Sequence, residues 1–213
     1  MNRYYEGKLP EGYSEAFVVD ANDKKQGMKF QIAAILSVAV LINVFFFVYA
    51  LPRLNEIAAG FTVLKCAGVV IAYFLYVVLH ELTHGLVYKL LTGKKLTFGF
   101  KLPSAYCGVP DIYTYRITSL LSLSAPLTVF SILFVFLFLM IRDTFLKAMI
   151  LLLFVLHISG CAGDLYGIWL FLFRFKSPST LRKDFGSRQV YYIKADEDRT
   201  PLDSGLSTGA QRR

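Results

Sequence analysis

Long apolar runs constrain this chain more than any other feature. A stretch of about 20 residues almost free of charge matches the hydrocarbon thickness of a bilayer and exceeds what a buried helix of a soluble domain needs. Four such runs stand in the sequence, at roughly Phe30–Leu51, Thr62–Leu91, Ser119–Ile141 and Thr144–Phe173. The first is followed by Pro52, the second by Thr92-Gly93, and the third holds Pro126 in its first turns. In lipid every backbone polar group must be satisfied within the segment, so each run is expected to be helical. The second is longer than a bilayer requires and is expected to tilt or protrude.

The expected fold is therefore an all-α membrane protein with four transmembrane helices and a small cytoplasmic β-hairpin. The hairpin is expected within 93–118, where Leu96–Lys101 and Asp111–Arg116 are β-prone and Pro103–Pro110 lies between them. Three parts follow: an N-terminal arm over 1–29, a transmembrane domain over 30–174 and a tail over 175–213. Ala16–Val19 and Gln189–Ile193 are short strand candidates, and beyond Lys194 few apolar residues remain, so disorder is expected there. The arm has no apolar core followed by small residues, so no cleavable signal peptide is expected.

The net charge of +8 is carried by connections and tails. Lys24, Lys25 and Lys29 flank the first run, Lys94, Lys95, Lys101 and Arg116 follow the second, and Arg174, Lys176, Arg182, Lys183 and Arg188 follow the fourth. The other two connections hold only Arg53, and Arg142 with Lys147. This bias predicts a multi-pass cell-membrane protein with both termini cytoplasmic and in contact with anionic lipid. No basic stripe interleaved with aromatics suggests nucleic-acid binding. Cys66, Cys107 and Cys161 form no CxxC pair, which argues against a disulfide framework or a cysteine zinc site.

Ionisable side chains within a span are costly and mark function by default. Here they are Lys65, His80, Glu81, His84, Lys89, His157 and Asp164. Lys65 and Lys89 lie near span ends and can snorkel. His80-Glu81-Leu82-Thr83-His84 reads HExxH. Histidines four apart share one helix face and can hold one zinc ion, and Glu81 beside them can serve as general base toward water. The bland alternative is a pair of histidines hydrogen-bonded between helices, but burying three such groups without a metal is costly.

A catalytic zinc takes a third protein ligand and keeps one position open. Leu90 stands where an extended HExxHxxGxxH would need histidine, and the only later glutamate is Glu197 in the tail. Asp143 falls at the opposite membrane face and Asp111 in a connection. Asp164 is eligible: it lies ten residues before Arg174, as His84 lies eight before Thr92, so both are roughly 12–15 Å from the cytoplasmic boundary. His157, seven residues earlier, is an alternative ligand, an outer partner of the ligands or a polar bridge. Cys161 reads as a packed thiol, and Gly160, Gly163 and Gly167 as room for a helix partner.

On His80–His84 and Asp164 the chain resembles the site-2 protease class of intramembrane zinc metalloproteases. In the Leu9–Tyr13 arm, His80–Gly85, Pro103–Cys107 and Gly160–Asp164 it resembles a bacterial family of membrane zincins over most of residues 8–193. The resemblance implies a Zn2+ enzyme hydrolysing peptide bonds within or next to the membrane, on a peptide or transmembrane-protein substrate. Other readings are a non-catalytic metal-binding membrane protein and a membrane scaffold or regulator. An intact Glu81 favours the enzyme, since metal binding alone does not need it. The 94–116 connection, directly after the metal helix, is a candidate guide for an extended substrate through its strand edge.

Overall fold

The computed structural model describes residues 4–20, 23–101 and 104–195. Helices begin and end where local chemistry directs. The α1 helix (Lys24–Phe45) is capped by Asp23, whose carboxylate accepts from the Lys25 and Gln26 amides. It does not stop at Pro52. A π turn (Phe46–Ala50) and a 3-10 turn (Leu51–Arg53) carry the chain into α2 (Leu54–Ala59), with the proline near the start of the 3-10 turn, where its missing N–H is tolerated. The α3 helix (Val63–Thr92) starts on the Thr62 side chain and ends at Gly93, whose φ of 66° gives a left-handed stop. Its 30 residues span about 45 Å, more than the hydrocarbon core. The α4 helix covers Arg116–Met140, and α5 (Thr144–Gly160) is capped by Asp143.

The fourth apolar run is broken. Helix α5 gives way at Cys161 to α6 (Ala162–Trp169), which continues as a π turn over Leu170–Arg174, and the two parts are bent by 43°. Gly160 and Gly163 flank the break, a common composition at sharp kinks. Among the described residues, three helical stretches are long and apolar enough to cross a membrane: Lys24–Ala59, Val63–Thr92 and Arg116–Met140. The bent pair qualifies only as a unit. These helices are compatible with membrane insertion.

The all-α expectation is wrong. The polar arm, connection and tail fold together into a six-stranded antiparallel sheet. Its strands are β1 (Tyr5–Glu6), β2 (Tyr13–Asp20), β3 (Thr97–Lys101), β4 (Ser104–Tyr115), β5 (Leu181–Asp184) and β6 (Arg188–Lys194). The order is β1-β4-β5-β6-β2, with β3 on β4. The expected hairpin is present as β3–β4, but Ser104–Pro110 belongs to β4 rather than to the turn. Pro110 has no N–H to give a ladder, and the β4–β5 register shifts between Val109 and Thr114. Residues 196–213, where disorder was expected, lie outside the described residues.

Because β2, β4 and β6 join one sheet, each helical leg between them leaves the sheet and returns to it. A core of Val19, Leu123, Leu170, Phe171, Phe175 and Tyr191 seals the sheet to the ends of α4 and α6. A second core, Phe130, Phe134, Ile150 and Leu153, lies within the bundle. Along α3 the buried residues are His80, His84, Gly85, Tyr88 and Thr92, an i, i+4 stripe facing inward. Leu75, Leu79, Leu82, Leu86 and Leu90 point outward, as lipid contact would require.

Candidate metal centre

The inward stripe of α3 faces the start of α6. Nε2 of His80 lies 3.3 Å from Asp164 Oδ2, and Nε2 of His84 lies 3.4 Å from Asp164 Oδ1. All three side chains are nearly buried, at 10% exposure for the histidines and 15% for the aspartate. The bend at Cys161 tilts α6 so that Asp164 enters from one side while His157 stays with α5.

One outer hydrogen bond fixes a tautomer. Nδ1 of His84 is 2.8 Å from the Ser122 carbonyl, which can only accept, so Nδ1 carries the hydrogen and a neutral ring has its lone pair on Nε2. Tyr76 Oη lies 3.2 Å from His80 Nδ1 and 2.8 Å from His157 Nδ1. Ser131 Oγ lies 3.3 Å from His157 Nε2. These contacts form one chain, Ser131–His157–Tyr76–His80, in which each hydroxyl can donate or accept. When Nδ1 of His80 donates to Tyr76, its Nε2 presents a lone pair toward Asp164.

This donor set fits a zinc ion. Two imidazole Nε2 atoms converge on one carboxylate, a set of donors that a shared cation can take up. Ligand atoms on a tetrahedral zinc with bonds of 2.0–2.1 Å are about 3.3–3.4 Å apart, as each histidine Nε2 is from its own oxygen of Asp164. Each histidine passes its other nitrogen to an oxygen partner, as metal-bound histidines do. Glu81 is half-buried, and the ligand-type atoms of His80, Glu81 and His84 all lie within 4.8 Å of one another. Its carboxylate also accepts from the Cys107 backbone amide. A second group within the same limit is His80, His157 and Cys161. It draws on the far side of His80, where Tyr76 already stands between the rings, and the Cys161 sulfur is 3.6 Å from His157 Nδ1.

Other sequence expectations sort as follows. Asp143 is remote: it pairs with Lys65 at 2.6 Å, fifteen residues or about 22 Å along α3 from His80. Lys65, near its span end, reaches Asp143 and the Gly60 carbonyl. Cys161 is a fully buried thiol. Gly167 makes room for Leu123, whereas Gly160 and Gly163 border the cavity beside Asp164 instead of a helix partner.

That cavity, of about 170 Å³, is lined on the helix side by His80, Glu81, His84 and Asp164 and on the sheet side by Cys107, Arg182 and Asp184, among others. Sequence reasoning missed Tyr76, Tyr88, Arg182 and Asp184. Tyr76, His80, His84 and Tyr88 share an i+4 stripe, a signal available in the sequence. Arg182 and Asp184 carried none, because only strand pairing brings β5 to this cavity. Arg182 is 1% exposed, and its Nη2 lies 2.8 Å from Asp184 Oδ2. Burial opposes its charge, but the Asp184 carboxylate holds its pKa above the ordinary guanidinium value.

A family model described as "Putative zincin peptidase" matches residues 73–178, from just before Tyr76 to just after the bent pair. The chain is thus similar to a zinc peptidase family over the segment that holds the metal-type cluster. No curated protein and no solved structure matches it.

Proposed function

We propose that this chain is a membrane-embedded zinc metalloprotease that hydrolyses peptide bonds within or next to the membrane. His80, His84 and Asp164 hold the metal and Glu81 is the catalytic base. The observation that carries the reading is the convergence of two Nε2 atoms on one carboxylate at 3.3 and 3.4 Å, with Glu81 alongside. Similarity to a zinc peptidase family supports it. Zinc at such a site supplies Lewis acidity toward a carbonyl and acidifies water.

The chain's own residues do the rest. Glu81 takes a proton from water as its oxygen bonds to the peptide carbon. It then gives that proton to the leaving nitrogen as the C–N bond breaks, yielding a carboxylic acid and an amine, between which the remaining proton passes to give carboxylate and ammonium. Ser122 and Tyr76 hold the histidine rings in the metal-binding tautomer. The bundle keeps bulk water out, and the sheet covers the cytoplasmic mouth. The Lys and Arg bias supports a cytoplasmic sheet, with the exposed apolar faces of the helices in contact with lipid. Reporter fusions near residues 100 and 180 should both read internal.

Metal analysis and cleavage of a fluorogenic transmembrane peptide, run together on wild type and Glu81→Gln, test this reading. Expected are about one zinc per chain in both and cleavage in wild type alone. Zinc retained by a His80→Ala/His84→Ala double variant would sink it. The group of His80, His157 and Cys161 favours a second reading, a non-catalytic metal site. Loss of zinc in Cys161→Ala with retention in Asp164→Ala would select that one.

A further inference from the structure

A second cavity, of about 500 Å³, lies between α3, α4 and α5, away from the sheet. Its wall on α3 is one helix face, Lys65, Gly68, Ala72, Leu75, Tyr76 and Leu79, in steps of three and four. Of all its lining side chains only those of Lys65 and Tyr76 bear nitrogen or oxygen. The Tyr76 hydroxyl is taken up by His80 and His157, which leaves the ring for the cavity. Gly68 and Ala72 are exposed, and a Cβ at Gly68 would meet nothing within 4 Å, so the groove is open there.

Its dimensions limit what can fill it. From Lys65 to Leu79 is about 21 Å along α3, so 500 Å³ gives a mean cross-section of about 24 Å². A helix about 10 Å across needs about 80 Å², so neither a second copy's helix nor any other fits within. A single hydrocarbon chain does. The length agrees: Lys65 to Tyr76 is about 16 Å, and half the hydrocarbon core is about 15 Å. The mouth is polar and cationic. Lys65 Nζ donates to Asp143 and to the Gly60 carbonyl, which leaves one of its three N–H donors. Arg142 directly follows the lining residue Ile141, is exposed, and has no partner among the described residues.

We propose that this groove is a phospholipid site, with one acyl chain lying along α3, its end against the Tyr76 ring and its phosphate at Lys65 and Arg142. The proposal rests on the membrane part of the reading above and not on zinc or cleavage. Lipid tails are as apolar as the lining, so packing and the phosphate contacts hold the lipid in place rather than transfer from water. The chain end then abuts the residue whose hydroxyl reaches His80.

The test uses the full chain in phosphatidylcholine vesicles with a trace of phosphatidylglycerol that carries a diazirine at the end of one acyl chain. After illumination, peptide mass spectrometry locates the label. Tyr76, Leu79 and Phe130 should be labelled at least about fivefold more than the outward-facing Leu36 and Val40 of α1. In Gly68→Leu/Ala72→Leu, which fills the groove with side chains of better helix propensity than glycine, that excess should vanish while the α1 label is unchanged. Even labelling of all outward faces in wild type would overturn the proposal without recourse to the variant. An excess that survives in the folded double variant would also overturn it. Equal groove labelling by a diacylglycerol with the same diazirine chain would overturn the phosphate contact. Efficient disulfide pairing of two chains through Gly68→Cys, with no label in the groove, would assign this face to a second copy instead. Absence of label from every helix would fail the membrane reading first, and this proposal with it.

Discussion

The Tyr76 hydroxyl stands between two imidazoles, 2.8 Å from His157 Nδ1 and 3.2 Å from His80 Nδ1. His157 thus touches His80 through a tyrosine hydroxyl. Partners of this outer kind tune metal affinity by about 10–100-fold. Tyr76→Phe should therefore keep stoichiometric zinc at saturating metal and lower affinity by about that factor in a competition titration with a chromophoric chelator. An unchanged affinity would leave the tyrosine as packing only.

The same geometry ranks Asp164 above His157. Asp164→Asn should lower zinc affinity steeply and abolish cleavage, because an amide is a neutral and poorer ligand. His157→Ala should retain zinc and lose activity only in part. Elemental analysis of both variants decides, and zinc lost from His157→Ala but kept by Asp164→Asn would reverse the assignment. Tyr76→Phe/His157→Ala should cost no more than the costlier single variant, since the two residues act in series.

The helices and the cluster were legible in the sequence for one physical reason. A segment in lipid must be helical and apolar, so its few polar side chains stand out, and a helix fixes which of them share a face. HExxH at residues 80–84 and Asp164 were readable on that basis. The sheet was not. Its β2–β6 ladder pairs Tyr13 with Lys194 and Asp20 with Arg188, partners set by where the helices return and not by local pattern. Short β5 and the proline inside β4 give weak strand signals. Arg182 looked like one more orienting charge because its burial comes from strand pairing, not from its neighbours in sequence. Pro52 and the fourth apolar run misled in opposite ways: a proline suggested an end where the helix continues, and an unbroken apolar run concealed a bend beside two glycines.

Gly85 couples the metal helix to the β3–β4 hairpin. A Cβ there would meet Leu96 Cδ1 and Phe98 Cζ at 3.0 Å and Cys107 Sγ at 3.2 Å. These are side-chain ends, so alanine can be accommodated, with the better helix propensity of alanine offsetting part of the crowding. Valine cannot be absorbed as easily and should destabilise by about 1–3 kcal/mol through overpacking. Thermal unfolding in detergent should show Gly85→Val melting several degrees below Gly85→Ala. Zinc should remain in both, because the histidine stripe does not depend on the hairpin. Cleavage should fall in the valine variant, since Cys107, whose amide holds Glu81, moves with β4. Equal melting of the two variants would show that the hairpin does not pack as described.

Cys107 lines the cavity, yet its thiol is poorly suited to metal binding. Burial pushes its pKa up to about 12, with the Asp184 and Glu81 carboxylates adding to the shift. The sign follows from the thiolate being the charged form: a dry site between two carboxylates opposes a third negative charge. At pH 8 the thiolate fraction is then about one in ten thousand, against about one in four for an ordinary thiol. Alkylation of Cys107 by iodoacetamide, followed by peptide mass spectrometry, should be far slower at pH 8 than that of free cysteine. The rate should climb about tenfold per pH unit between pH 8 and 10, where free cysteine levels off. Cys107→Ser should hold its full zinc complement across the same range. Rapid labelling at pH 8, or zinc lost with the thiol, would instead make Cys107 a thiolate ligand and move the metal toward the sheet.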